Sequence, residues 1–139
     1  MGKIELSELE QSVHAALACA LDREFGRAVM VRVVVLFGSR AVARDRASSD
    51  VDLAVALDEP IDELRRQRIE ASIGAALGVD TDLVDLLSAP SHLVSRVLRS
   101  GRILAGAGSP ALGAIIARMV SQREDIAPYQ RRILDERVR

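Results

Sequence analysis

Two stretches decide how this chain folds: Leu36-Phe37-Gly38-Ser39-Arg40-Ala41 and, after a polar interval, Ser49-Asp50-Val51-Asp52-Leu53-Ala54-Val55. Met30 to Phe37 is a β-branched and apolar run, the pattern of a strand buried on both faces. Gly38 breaks the run, and a stretch rich in Arg and Ser leads to Ser49. Val51 to Leu57 then reads as a second buried strand, with Asp50 and Asp52 at its start. Residues i and i+2 of a strand share a face. Asp50 and Asp52 therefore stand side by side while Val51 enters the core. Two such carboxylates repel, and one pKa rises unless a cation bridges them.

The glycine end of the pattern suits phosphate. A glycine after a buried strand lets the backbone turn and approach a ligand closely. The amides that follow can point at phosphate oxygens, the Ser39 hydroxyl adds a donor, and Arg40 adds a cation. Ten residues separate Ser39 from Asp50, enough for the chain to leave one strand and return on its neighbour. Displacement at the α-phosphorus of a triphosphate places negative charge on every participating oxygen. Two Mg²⁺ ions about 3.5–4 Å apart can stabilise both the attacking and the leaving oxygen. Mg²⁺ takes hard oxygen ligands and keeps some water, so a few convergent carboxylates beside the substrate suffice. An Asp-x-Asp pair alone is more often a solvated turn. The Gly-Ser turn at this distance, the buried strands and a third acidic segment favour the metal.

Working outward, Ser7 and Glu10 have capping-box spacing, and apolar residues at helical intervals predict a helix over 7–25 that Gly26 ends. Pro60, Asp62 and Glu63 open a second helix that Gly78 closes. Val79 to Leu87 is a third strand with acids interleaved. Pro90 begins a helix to about Ser100, with Gly101 as its stop, and Ile103-Leu104 forms a short edge strand. A last helix follows Ser109-Pro110 and carries Leu112, Ile115, Ile116, Met119 and Val120; Pro128 kinks it or ends its first part. The expected architecture is one α/β (α+β) domain over residues 1–139, a small mixed sheet flanked by helices. Its core spans 28–105, and a C-terminal helical extension covers 109–137.

Composition excludes several classes. The chain has 139 residues, 49% hydrophobic and 28% charged, which suits a soluble globular domain with one core. Aromatics are only 2%, which argues against a binder that stacks bases on rings. A formal net charge of −1 gives no basic field for nucleic acid, so no direct nucleic-acid contact is expected. No secretory leader or membrane-length apolar run is evident, so a cytoplasmic protein is expected. Cys19, the sole cysteine, reads as a small core residue. His14 and His92 have no ligand-spaced partner, and Arg44 and Arg46 read as solvated loop charges.

The quoted motif resembles the G-S-x10-D-x-D pattern of the DNA polymerase β-type nucleotidyltransferase superfamily. The flanking residues and short length resemble its minimal (MNT) branch, and the likeness spans most of residues 30–105. The resemblance implies the nucleotidyltransferase fold, with ATP as substrate, Mg²⁺ as cofactor, and Asp50 and Asp52 as metal ligands. It also implies a third carboxylate on a neighbouring strand, which binds metal or accepts the proton of the attacking hydroxyl. Asp80, Asp82 and Asp85 compete for that role. Asp82 matches the family position best, Asp80 shares its face, and Asp85 lies on the other by period-2 counting. Val42-Ala43 stands where family members commonly carry Arg-Gly, which puts loop flexibility and efficiency in doubt.

Many members of this branch accompany a HEPN protein, often an RNase toxin. The resemblance implies an antitoxin that adenylylates a tyrosine of such a partner. The alternatives are a non-catalytic antitoxin that works by contact through its last helix, and transfer to a small molecule or RNA end.

Overall fold

Val33–Phe37 is five apolar residues, and such a strand is stable only where both its faces are covered. The computed structural model, which describes residues 6–38 and 50–126, provides that setting. The elements run α1 (Leu6–Phe25), β1 (Val33–Phe37), β2 (Val51–Ala56), α2 (Glu63–Leu77), β3 (Thr81–Asp85), α3 (Ser91–Ser100), β4 (Arg102–Ala105) and α4 (Pro110–Ile126). Among the described residues they build a four-stranded sheet in the order β3-β2-β1-β4. β1 is antiparallel to β2 and β4, whereas β2 is parallel to β3. The sheet is therefore mixed, as expected, and the short strand after Gly101 does lie at its edge.

Strand parity sorts the core into two layers. Val34, Leu36, Val51, Leu53, Val55 and Leu83 meet α1 and α2 through Val13, Leu17, Leu21, Ile69 and Ile73. Val33, Val35, Phe37, Ala54, Ala56 and Leu86 meet α3 and α4 through Val94, Val97, Leu112 and Ile115. Asp62 starts α2 by accepting the Arg65 N–H at 2.8 Å, and Gly78, at φ 74°, ends it. Gly101 ends α3 for a different reason. Its φ of −89° suits any residue, but an added Cβ would lie 2.5 Å from Val35 Cγ1 and from the Val97 carbonyl. Lack of a side chain there presses the end of α3 onto β1.

Three local expectations are corrected. β1 begins at Val33 and not at Met30, which is 59% exposed; Arg32 interrupts the apolar run and pairs with Asp58 at 2.6 Å. β3 is confined to Thr81–Asp85 within the longer Val79–Leu87 segment. Cys19 is exposed. The buried stripe of α1 passes through Leu9, Val13, Ala16, Leu17, Ala20 and Leu21, and position 19 falls beside it. His14 and His92 are both exposed. α4 divides its apolar residues, with Leu112 and Ile115 in the core and Ile116 and Val120 outside. Pro128 and the expected helix beyond Ile126 lie outside the described residues. No helix among the described residues is long and apolar enough to cross a membrane.

The outer edge of β3 is closed by side chains. Glu70 accepts the Leu83 N–H at 2.8 Å, and Arg66 donates to the Leu83 carbonyl at 2.9 Å. The two side chains also bond each other at 2.9 Å. A pair from α2 thus occupies backbone groups that another strand could otherwise claim. Glu70→Ala should cost about 1–2 kcal/mol in urea denaturation, because a part-buried N–H loses its partner. It should also promote concentration-dependent self-association, measurable by sedimentation; unchanged behaviour in both would rule out this role.

Candidate active site

The strand directions gather chemistry at one end of the sheet. Phe37, the last residue of β1, pairs with Asp52 near the start of β2. Because β2 and β3 are parallel, Asp52 lies directly beside Asp82. Period 2 sends both side chains to the face covered by α3 and α4, the face that Ala54, Ala56 and Leu86 help to fill. Asp52 is partly buried there, and Asp82 and Asp50 are exposed. Hydrophobic strand interiors stop at this lip, so carboxylates can stand against a buried sheet and still reach solvent.

The crowding has an electrostatic consequence. The Asp52 carboxyl is pushed from 3.8 up to about 6, first by burial, then by a hydrogen bond with Asp82 and by the charges of Asp82 and Asp50. Arg96, on α3, works in the opposite direction. The turn that leaves β1 closes the other side. Gly38 has φ 79°, and an added Cβ would run into Asp52 Oδ2. Glycine is needed there for its left-handed backbone and for its close approach to the carboxylate. Ser39, Arg40, Val42, Ala43, Arg44 and Arg46 lie outside the described residues.

The three candidate acids of the third strand have different settings. Asp82 shares a hydrogen bond with Asp52. Asp80 is exposed, its carbonyl accepts the Val51 N–H at 2.9 Å, and its side chain joins Asp50, Glu70 and Asp82 along a groove of about 840 Å³ beside α2. Asp85 is 5% exposed and faces the opposite layer. It accepts the Ile61 N–H and the Ser88 hydroxyl at 2.8 Å, and the Leu87 N–H at 3.0 Å. Those bonds fasten the approach to α2 and the turn after β3. Among the described residues, no three His, Cys, Asp or Glu side chains form a ready-made metal cage. Nothing in a helical pattern shows which exposed arginine will lend its charge to an aspartate far upstream, as Arg96 does to Asp52.

Comparison with known proteins assigns the family. The family described as Polymerase beta, Nucleotidyltransferase matches residues 21–107. The chain belongs to this family. Protein adenylyltransferase MntA of Shewanella oneidensis is 34% identical over 76 residues, which cover 55% of this chain and 55% of MntA. The match thus spans about half the length of that relative. Among solved structures, a toxin–antitoxin with AMP-PNP has a chain that is 24% identical, with a TM-score of 0.69 over 94% of this chain and 98% of that one. A tri-AMPylated Shewanella oneidensis HEPN toxin in complex with MNT antitoxin supplies another, 23% identical, with a TM-score of 0.64 over 94% and 99%. At these identities the structures show a shared nucleotidyltransferase fold.

The raised Asp52 pKa predicts a pH dependence. Its folded value of about 6 exceeds the ordinary 3.8, so the fold favours the protonated form. That contribution is complete below pH 3.8 and is lost as pH rises through about 6. In chelator, Asp52→Asn should therefore stabilise the protein at pH 7 by roughly 1 kcal/mol after solvent screening, with little effect near pH 4. Thermal melts at the two pH values check this, and equal shifts at both would refute it.

Proposed function

We propose that this chain transfers AMP from Mg·ATP to a tyrosine hydroxyl of a HEPN-type RNase toxin, and so acts as its antitoxin. The observation that carries this reading is the register that sets Asp52 beside Asp82, with Asp50 at the same lip and the Gly38 turn against Asp52. The donor set fits Mg²⁺: hard carboxylate oxygens, crowded enough to hold a proton that a cation could replace, with an open side for water and phosphate. Asp50, Asp52 and Asp82 would hold the metal, two ions in the family's usual arrangement, and metal ions there lower the charge on the attacking and leaving oxygens. MntA is named a protein adenylyltransferase, and the MNT antitoxin above is bound to an AMPylated HEPN toxin; these names support the choice of AMP and of partner.

The residues then have separate tasks. The turn at Gly38, with the Ser39 hydroxyl and the Arg40 guanidinium, would seat the triphosphate. The acceptor oxygen attacks the α-phosphorus, the bond to the β-phosphate breaks, and pyrophosphate leaves with the electron pair. The hydroxyl proton passes to a carboxylate of the site, Asp82 being the one on the neighbouring strand. AMP adds bulk and negative charge to a toxin surface that must approach RNA phosphates, which explains neutralisation.

A second reading is neutralisation by contact alone, for which the exposed Ile116 and Val120 of α4 offer an apolar face. Incubating purified chain with Mg·ATP and the toxin encoded beside it should add AMP mass increments to the toxin. The Asp50→Asn/Asp52→Asn double variant should abolish the increments and the protection from RNA cleavage together. Full protection by the double variant at an equimolar dose, with no AMP on the toxin, would establish the contact mechanism instead.

A further inference from the structure

Backbone direction divides β3. The Val51 N–H donates to the Asp80 carbonyl, and the Leu86 N–H donates to the Val55 carbonyl, so the even-numbered residues here turn their backbone groups to β2. Thr81, Leu83 and Asp85 therefore turn theirs to the outer edge. Two of the three are engaged. Glu70 and Arg66 hold both groups of Leu83, and the Asp85 carbonyl accepts the Ser88 and Ala89 N–H groups. Thr81 differs. Among the described residues its N–H and carbonyl have no hydrogen-bond partner, although the residue is only 8% exposed. Its hydroxyl reaches the Val79 carbonyl at 3.4 Å. Buried backbone groups are nearly always paired, so an open pair on the wall of a groove points to a guest in that groove. α2 leaves room for one: Ala71, Gly74, Ala75 and Gly78 line the groove of about 840 Å³ together with Thr81. Asp50, Asp80 and Asp82, all exposed, line it too. Thr81 is in register with Val51, the residue between Asp50 and Asp52, so the open edge begins at the acids.

We propose that the β3 edge at Thr81 receives an extended, basic segment of the acceptor toxin, hydrogen-bonded to Thr81 as a short added strand. The proposal rests on the nucleotidyl-transfer reading above. A protein that cleaves RNA needs cationic charge around the site that holds RNA phosphates, and the acids of the groove complement that charge. Main-chain bonds to the edge supply attachment, and the groove supplies selectivity for the side chains of the guest. A strand added about 4.8 Å from β3 sends alternate side chains to the face that carries Asp82, where a hydroxyl is to be modified. Glu70 and Arg66 stop the pairing at Leu83, so the guest cannot slide along the edge.

The test is residue-resolved amide exchange on the full chain, alone and with the toxin encoded beside it, and the affinity of that complex in Ala75→Arg and Ala75→Glu. Ala75 is exposed on the α2 wall of the groove, and both replacements suit a helix. The Thr81 amide should exchange freely in the chain alone and become protected in the complex, while the Leu83 amide stays protected in both. Ala75→Arg, which fills the groove and repels a basic guest, should weaken the complex about tenfold or more, and Ala75→Glu far less. A Thr81 amide already protected in the chain alone means that this chain or a second copy covers the edge, and overturns the proposal. An equal loss in the two variants overturns the basic guest. Toxin that gains AMP while Thr81 stays unprotected overturns the docking edge and leaves transfer standing. Toxin that protects Thr81 yet gains no AMP supports the docking edge and overturns transfer.

Discussion

The parallel register of β2 on β3 is the constraint on which the rest depends. It sets Asp52 against Asp82 at the end of a sheet whose interior is closed to water. Neither carboxylate could be shifted along its strand by one residue without turning to the other face, where α1 and α2 fill the space with apolar side chains. The cost of the arrangement is visible in Asp52, whose carboxyl is held near pH 6 by burial and by its acidic neighbours. A fold selected for stability alone would not place two acids there. Cationic charge beside the pair would relieve that repulsion.

Several devices keep that register. The edge of β3 is held by Glu70 and Arg66, which bond the backbone of Leu83, midway along the strand. Asp85 anchors the far end through three hydrogen bonds, and Arg118 reaches from α4 to the carbonyls of Leu86 and Leu87. On the other side, Gly101 brings α3 down onto β1, and Gly38 brings the departing backbone up to Asp52. Two glycines with different reasons, one for space alone and one for conformation as well, thus set the distances across the site. Stability and chemistry share the same strands, so loss of an edge contact far from the acids can still disturb them.

Much of this was legible in the chain. The period-2 and near-continuous apolar runs located the strands, the helical periodicities and caps located the helices, and the Gly-Ser and Asp-Val-Asp spacing pointed to the family and to a candidate site. Those features are local: a strand's parity and a helix's cap depend on residues within a few positions of each other. Tertiary structure decided what local rules leave open. Parity had already put Asp82 and Asp85 on opposite faces; tertiary structure set Asp82 beside Asp52 and buried Asp85 as an anchor. It exposed Cys19, which helical spacing alone left close to the buried stripe. It also let the charge of Arg96 act on Asp52, because α3 packs on the sheet face that carries that aspartate. The Gly38…Asp50-Val51-Asp52 stretch marked the family; the sheet order determined which side chains surround it.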